Sequence, residues 1–115
     1  GLTDADPVIR YWSVVGLLLL EKHAQPALSG LKKALLDSDE IPSLAAWAIF
    51  KAGEEDFAKQ WMLREITENP GNKMLANVLD WMDKDSFPIL SKIPQDKLLQ
   101  RGLLKDVVTR YRARI

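Results

Sequence analysis

The chain has 115 residues, 47 % of them apolar and 28 % charged, with 16 basic and 16 acidic side chains that cancel to a net charge of zero. A single globular domain of ordinary size fits these values. Zero net charge excludes the strongly basic signature of a nucleic-acid binder, and the absence of cysteine excludes disulfides, thiol nucleophiles and Cys-ligated metal centres.

In chain order the signals are helical, with no clean alternation of β-branched and polar residues. Asp6 is a natural N-cap and Pro7 a natural first helical residue, so a helix is expected over 7–22. Its apolar run, 14–20, is far short of the about 20 residues a membrane span needs. No membrane span and no signal peptide are expected. A loop over 23–25 should lead to a second helix over 26–36, opened by Pro26, with Leu28, Leu31 and Leu35 on one face and Lys32, Lys33 and Asp37 on the outer side.

Asp37 to Glu40 form a polar break. Pro42 opens a third helix that should stop at Ala52 and Gly53. Glu54, Glu55 and Asp56 put negative charge at the start of a fourth helix, where the helix dipole favours it, and that helix should end at Asn69-Pro70-Gly71. A fifth is expected over 72–82, a short one over 87–93, and a last one after Gly102 bearing Leu104, Val107, Val108 and Tyr111.

The helix signals recur. The segment starting at Ile9 and that starting at Pro42 are 33 residues apart, each preceded by an acidic turn and followed by a more amphipathic helix, and a third copy starts about 31 residues on, near Leu75. Helix pairs recurring at just over 30 residues mark an α-solenoid. The acidic turn, the apolar helix beginning Val8-Ile9-Arg10 and the short second helix resemble HEAT repeats. The expected fold is all-α: a right-handed HEAT-like stack of about two and a half helix pairs plus a C-terminal helix. The expected organisation is one domain over 1–115, with 1–3 as linker, 4–93 as repeats and 94–115 as a helical tail. Gly1 with no Met ahead of it leads to the expectation that the sequence is a piece of a longer chain.

A narrower resemblance rests on Asp6 through Leu17, on Gln25-Pro26-Ala27-Leu28 followed by Leu31 to Leu35, and on Met74 to Trp81. These stretches are similar to the helical extension at the C-terminus of bacterial sulfatases of the arylsulfatase and N-sulfoglucosamine sulfohydrolase type. The resemblance implies a parent that hydrolyses sulfate esters or sulfamates and is exported to the periplasm or cell surface. It implies an accessory role for this chain, packed on the catalytic domain. None of the chemistry carries over. The nucleophile pattern of Cys or Ser, any residue, Pro, any residue, Arg is absent; after Ser91, for example, the proline comes one place late at Pro94 and no Arg follows at the required spacing. No catalytic, cofactor-binding or metal-binding residue is expected. The alternative is a free-standing HEAT scaffold that binds another protein.

Individual residues agree with a non-catalytic role. His23 has no partners at the spacing a metal site or triad needs, and suits a helix C-terminus. Asp37-Ser38-Asp39-Glu40 lacks the glycine and distal glutamate of a calcium loop and reads as a turn between repeats. Asp80, Asp83 and Asp85 straddle a helix end. Arg101, Lys105, Arg110, Arg112 and Arg114 enrich the last helix, as suits its C-terminus, with anion binding the weaker reading. Trp12, Trp47, Trp61 and Trp81 fall in apolar helix patterns and are expected to pack within the core or between repeats, with a partner-covered surface as the alternative.

One feature points outward. The first helix is apolar nearly all round, with Ile9, Trp12, Gly16 and Leu20 on one side and Val8, Tyr11, Val15 and Leu18 or Leu19 on the other. The third behaves alike from Leu44 to Phe50. A surface helix in a two-layer stack needs only one apolar stripe. Both helices should therefore be covered twice, in part by the C-terminal tail. Val8, Tyr11, Trp12, Val15, Leu44 and Trp47 form the expected docking surface, for a catalytic domain, for another protein, or in a weak homodimer.

Overall fold

The computed structural model describes residues 1–94 and 102–115, and among these every regular element is helical. The helices are α1 (Pro7–Leu20), α2 (Leu28–Ala34), α3 (Ile41–Lys51), α4 (Glu55–Glu68), α5 (Lys73–Trp81), α6 (Phe87–Leu90) and α7 (Leu103–Arg114), with 3₁₀ turns over Glu21–Ala27 and Asp83–Ser86. The chain divides into two compact units, Gly1–Gln60 and Trp61–Ile115, and the division falls within α4.

Local chemistry sets the helix ends. The Asp6 carboxylate accepts the Val8 N–H at 2.9 Å, and Pro7 follows in the first turn. Pro42 lies in the first turn of α3. Beyond that helix Gly53 adopts φ 115°, a conformation that disfavours side chains. Asn72 caps α5 by accepting the Leu75 N–H at 2.9 Å.

The second helix departs from expectation. A 3₁₀ stretch replaces the loop over 23–25, Pro26 sits inside that stretch, and α2 begins only at Leu28. Glu21 initiates the change. It takes φ 52° and ψ −124° while its N–H reaches back to the Leu18 carbonyl, which stops α1 two residues early.

In the first unit α3 is the centre. Ile41, Ser43, Leu44, Ala45, Ala46, Ala48, Ile49 and Phe50 are all buried, and both α1 and α2 pack on this helix. Three alanines allow neighbouring backbones to approach closely. Val14 from α1 and Leu31 from α2 complete the core. Leu2, in the segment expected to be linker, is half-buried, its Cδ1 only 2.9 Å from where a Cβ at Gly30 would stand. In the second unit α7 packs on α5 and α6, burying Leu104, Val107 and Val108, with Leu75, Val78 and Leu79 buried on α5 and Ile89 and Leu90 on α6.

Candidate functional site

Burial separates the two helices that the sequence makes look alike. α3 is enclosed, whereas in α1 Val14 is the buried residue. The side of α1 turned away from α3 stays open: Val8, Ile9, Trp12, Leu19 and Leu20 are exposed, Trp12 at 62 % and Leu19 at 76 % of full accessibility. Gly16 lies among them, and a Cβ added there would meet no atom within 4 Å. The result is a continuous apolar face along the length of α1.

The residues singled out from sequence fall into three groups. Val8 and Trp12 lie on the exposed face. Tyr11, Val15 and Trp47 are half-buried, and the Tyr11 ring meets the edge of Trp12 with centroids 5.2 Å apart. Leu44 is 3 % exposed, held inside the unit by its place on α3, and so does not belong to the surface. The expectation that α1 is covered on both sides is likewise corrected, because α1 lies at the margin of its unit and only one of its sides meets α3. Ile9, Leu19 and Leu20 complete the face instead. The sequence pattern groups Ile9 and Leu20 with Trp12 and Gly16 but sets Val8, and Leu18 or Leu19, on the opposite side. The structure exposes Val8 and Leu19 together with Trp12, because periodicity cannot say which side of a nearly all-apolar helix is covered.

Beside Val8 the face runs into an open groove of about 290 Å³. Pro7, Val8, Tyr11 and Ile41 give it apolar walls, and Ser38, Asp39 and Glu40 form a polar rim. Arg10 fixes this end of the unit. Its Nε donates to Asp37 Oδ2 at 2.7 Å and its Nη2 to Oδ1 at 3.2 Å, while Nη1 donates to the carbonyls of Asp4 and Ala5 at 2.8 and 3.1 Å. Asp37 therefore faces inward to α1, not outward from the second helix. The bond from Arg10 and a further one from the Ser38 N–H hold the Asp37 carboxyl below its ordinary range, and the same pairing raises the Arg10 guanidinium.

In the second unit the acidic and basic clusters answer each other. Arg110 pairs with Asp80 at 3.1 Å, and Arg114 pairs with Asp83 while lying over the Phe87 ring. Phe87 and Tyr111 meet edge to face at 4.9 Å. Lys105 is exposed, and Arg101 lies outside the described residues. Trp81 is 54 % exposed, so neither it nor Trp12 is a core residue; Trp61 is half-buried. His23 is exposed on the 3₁₀ stretch. Among the described residues no three His, Cys, Asp or Glu side chains are grouped to hold a metal ion, and no helix is long and apolar enough to cross a membrane. No family model matches the chain, and neither a curated protein nor a solved structure matches it.

Proposed function

We propose that this chain is a non-catalytic interaction domain whose contact surface is the outer face of α1, continued at Val8 into the groove beside Ile41. One observation carries the proposal: five large apolar side chains and a glycine lie exposed in an unbroken row on a well-capped helix. Contiguous apolar patches of several hundred Å² are uncommon on isolated proteins and mark interaction sites. Scattered exposed leucines would not carry this weight.

The finer reading is a short HEAT-type stack, supported by the 33-residue recurrence of helix pairs in the sequence. The similarity of residues 6–17, 25–35 and 74–81 to sulfatase extensions supports a sulfatase-type catalytic domain as the partner, with export to the periplasm or cell surface. A free-standing scaffold is the second reading. It is favoured by the spacing of the exposed residues, which suits a partner helix laid along α1 better than a broad domain surface.

A photo-cross-linking side chain in place of Trp12, compared with one in place of the exposed Lys33 on α2, tests the proposal in the producing cell. A discrete cross-link from position 12, mapped by peptide mass spectrometry so that links within a parent chain are counted, and none from position 33 is expected. A link to a catalytic domain supports the sulfatase reading, one to an unrelated protein supports the scaffold, and one to a second copy of the chain keeps the contact surface. No cross-link of any kind from position 12 overturns the contact surface.

A further inference from the structure

We infer that the partner that best fits the outer face of α1 is a second copy of the same helix, packed antiparallel to the first; this rests on the reading of that face as a contact surface. Ile9, Trp12, Gly16 and Leu19 follow one another at steps of three, four and three residues, the seam of a two-helix coiled coil, with Val8 and Leu20 flanking it. Such a seam buries itself against one further helix.

The sequence of sizes along the seam selects that helix and its direction. In an antiparallel pair centred at the level of residue 14, Trp12 of one copy stands level with Gly16 of the other. Ile9 stands level with Leu19, and Val8 with Leu20. The indole enters the space that the glycine leaves open, since no atom beyond its chain neighbours and the backbone of its own helix turns lies within 4 Å of a Cβ at Gly16. Every large side chain on the face then has a counterpart, as close packing requires. A parallel pair in register would set Trp12 against Trp12 and leave a void at Gly16 against Gly16. The two-fold relation is also the commonest symmetry of protein pairs.

Charge points the same way. Antiparallel packing brings the Asp6 end of one α1 to the Lys22 end of the other at both ends of the seam, with Glu21 already drawn toward Lys51 at 3.8 Å. It also sets the two helix dipoles in opposition. Parallel packing would set like charge beside like. The area suffices for a modest complex: the exposed side chains offer on the order of 500 Å² per copy, so a pair buries roughly 1,000 Å², the lower bound of specific interfaces.

The chain has no cysteine, so paired cysteines report the register directly. Ile9→Cys and Leu19→Cys are made as separate proteins, both at exposed positions, and mixed under mild oxidation. A disulfide-linked species in the mixture, with little in either protein alone, is expected. Sedimentation of the unaltered chain over a concentration series should show reversible monomer–dimer exchange. Gly16→Glu should abolish both while retaining the helical circular dichroism, because open space surrounds residue 16 and glutamate favours helix more than glycine does. A chain that sediments as a monomer at every concentration, or disulfides that form equally in the single-protein samples, overturns the antiparallel pair. An adduct from position 12 with a different protein would leave the contact surface standing while the self-pairing falls.

Discussion

Arg10 and Asp37 lie 27 residues apart and are joined by two hydrogen bonds, so one side chain on α1 fixes the turn that leads into α3. The same guanidinium gathers the carbonyls of Asp4 and Ala5, tying the segment ahead of α1 to that turn. A planar fork with separate donors does this where a lysine could not.

The pairing sets a direction for acid sensitivity. The folded Asp37 carboxyl titrates below its ordinary value of 3.8, so the folded state holds this proton less tightly than the unfolded chain. Its stabilisation is complete above that value and is lost as pH falls through the lower, folded pKa. Asp37→Asn is expected to lower the thermal midpoint at neutral pH and to leave a shallower fall below pH about 4. Equal acid limbs in the two proteins, measured by circular dichroism, would contradict this.

Ile49 is wholly buried on α3, and Ile49→Ala should cost about 2–5 kcal/mol through lost burial and a cavity. His23, exposed on the 3₁₀ stretch, should tolerate alanine within about 0.5 kcal/mol. Urea unfolding of the two variants side by side measures both. A larger loss for His23→Ala would contradict the assignment of the core.

Glu21 occupies φ 52°, ψ −124°, a conformation that glycine adopts far more readily. Its contact with Lys51 is long and its side chain well exposed, so removing the carboxylate costs little. Glu21→Gly should therefore stabilise the protein by about 1 kcal/mol. A fall in the thermal midpoint would show that the contact with Lys51 outweighs the backbone term.

The purified chain should not turn over an aryl sulfate. The sequence contains no Cys or Ser followed by Pro and Arg at the sulfatase spacing. Hydrolysis above a heat-inactivated control, retained through further purification, would reopen the question of an active site.

The helix-end residues Asp6, Pro42 and Gly53 were readable because their chemistry is local, each acting within a turn of its own position; the cap from Asn72, expected only as the first residue of its helix, emerges from the structure. The outward face of α1 was half readable. Its apolar character is in the sequence, but α1 and α3 are both apolar all round, and only packing decides that Ala45, Ala46 and Ala48 go inside while Trp12 and Leu19 stay out. The Arg110–Asp80 and Arg114–Asp83 pairs were not readable as pairs, since α5 and its following turn meet α7 only through the fold of their unit. Each cluster by itself resembled a lone charged patch. Arg10 was the one available hint for its own pair, a cation set in an otherwise apolar helix.

The enclosure of α3 also sets a timetable for its backbone. Its amides have neighbours on all sides, so solvent reaches the middle of the helix only when the surrounding unit comes apart, whereas α1 can fray on its open side without disturbing what lies beneath. Deuterium should therefore enter α1 first and the stretch from Leu44 to Ile49 last. The innermost helix would keep the slow clock of the unit, and the apolar edge that meets other molecules would be drawn from its faster-exchanging part.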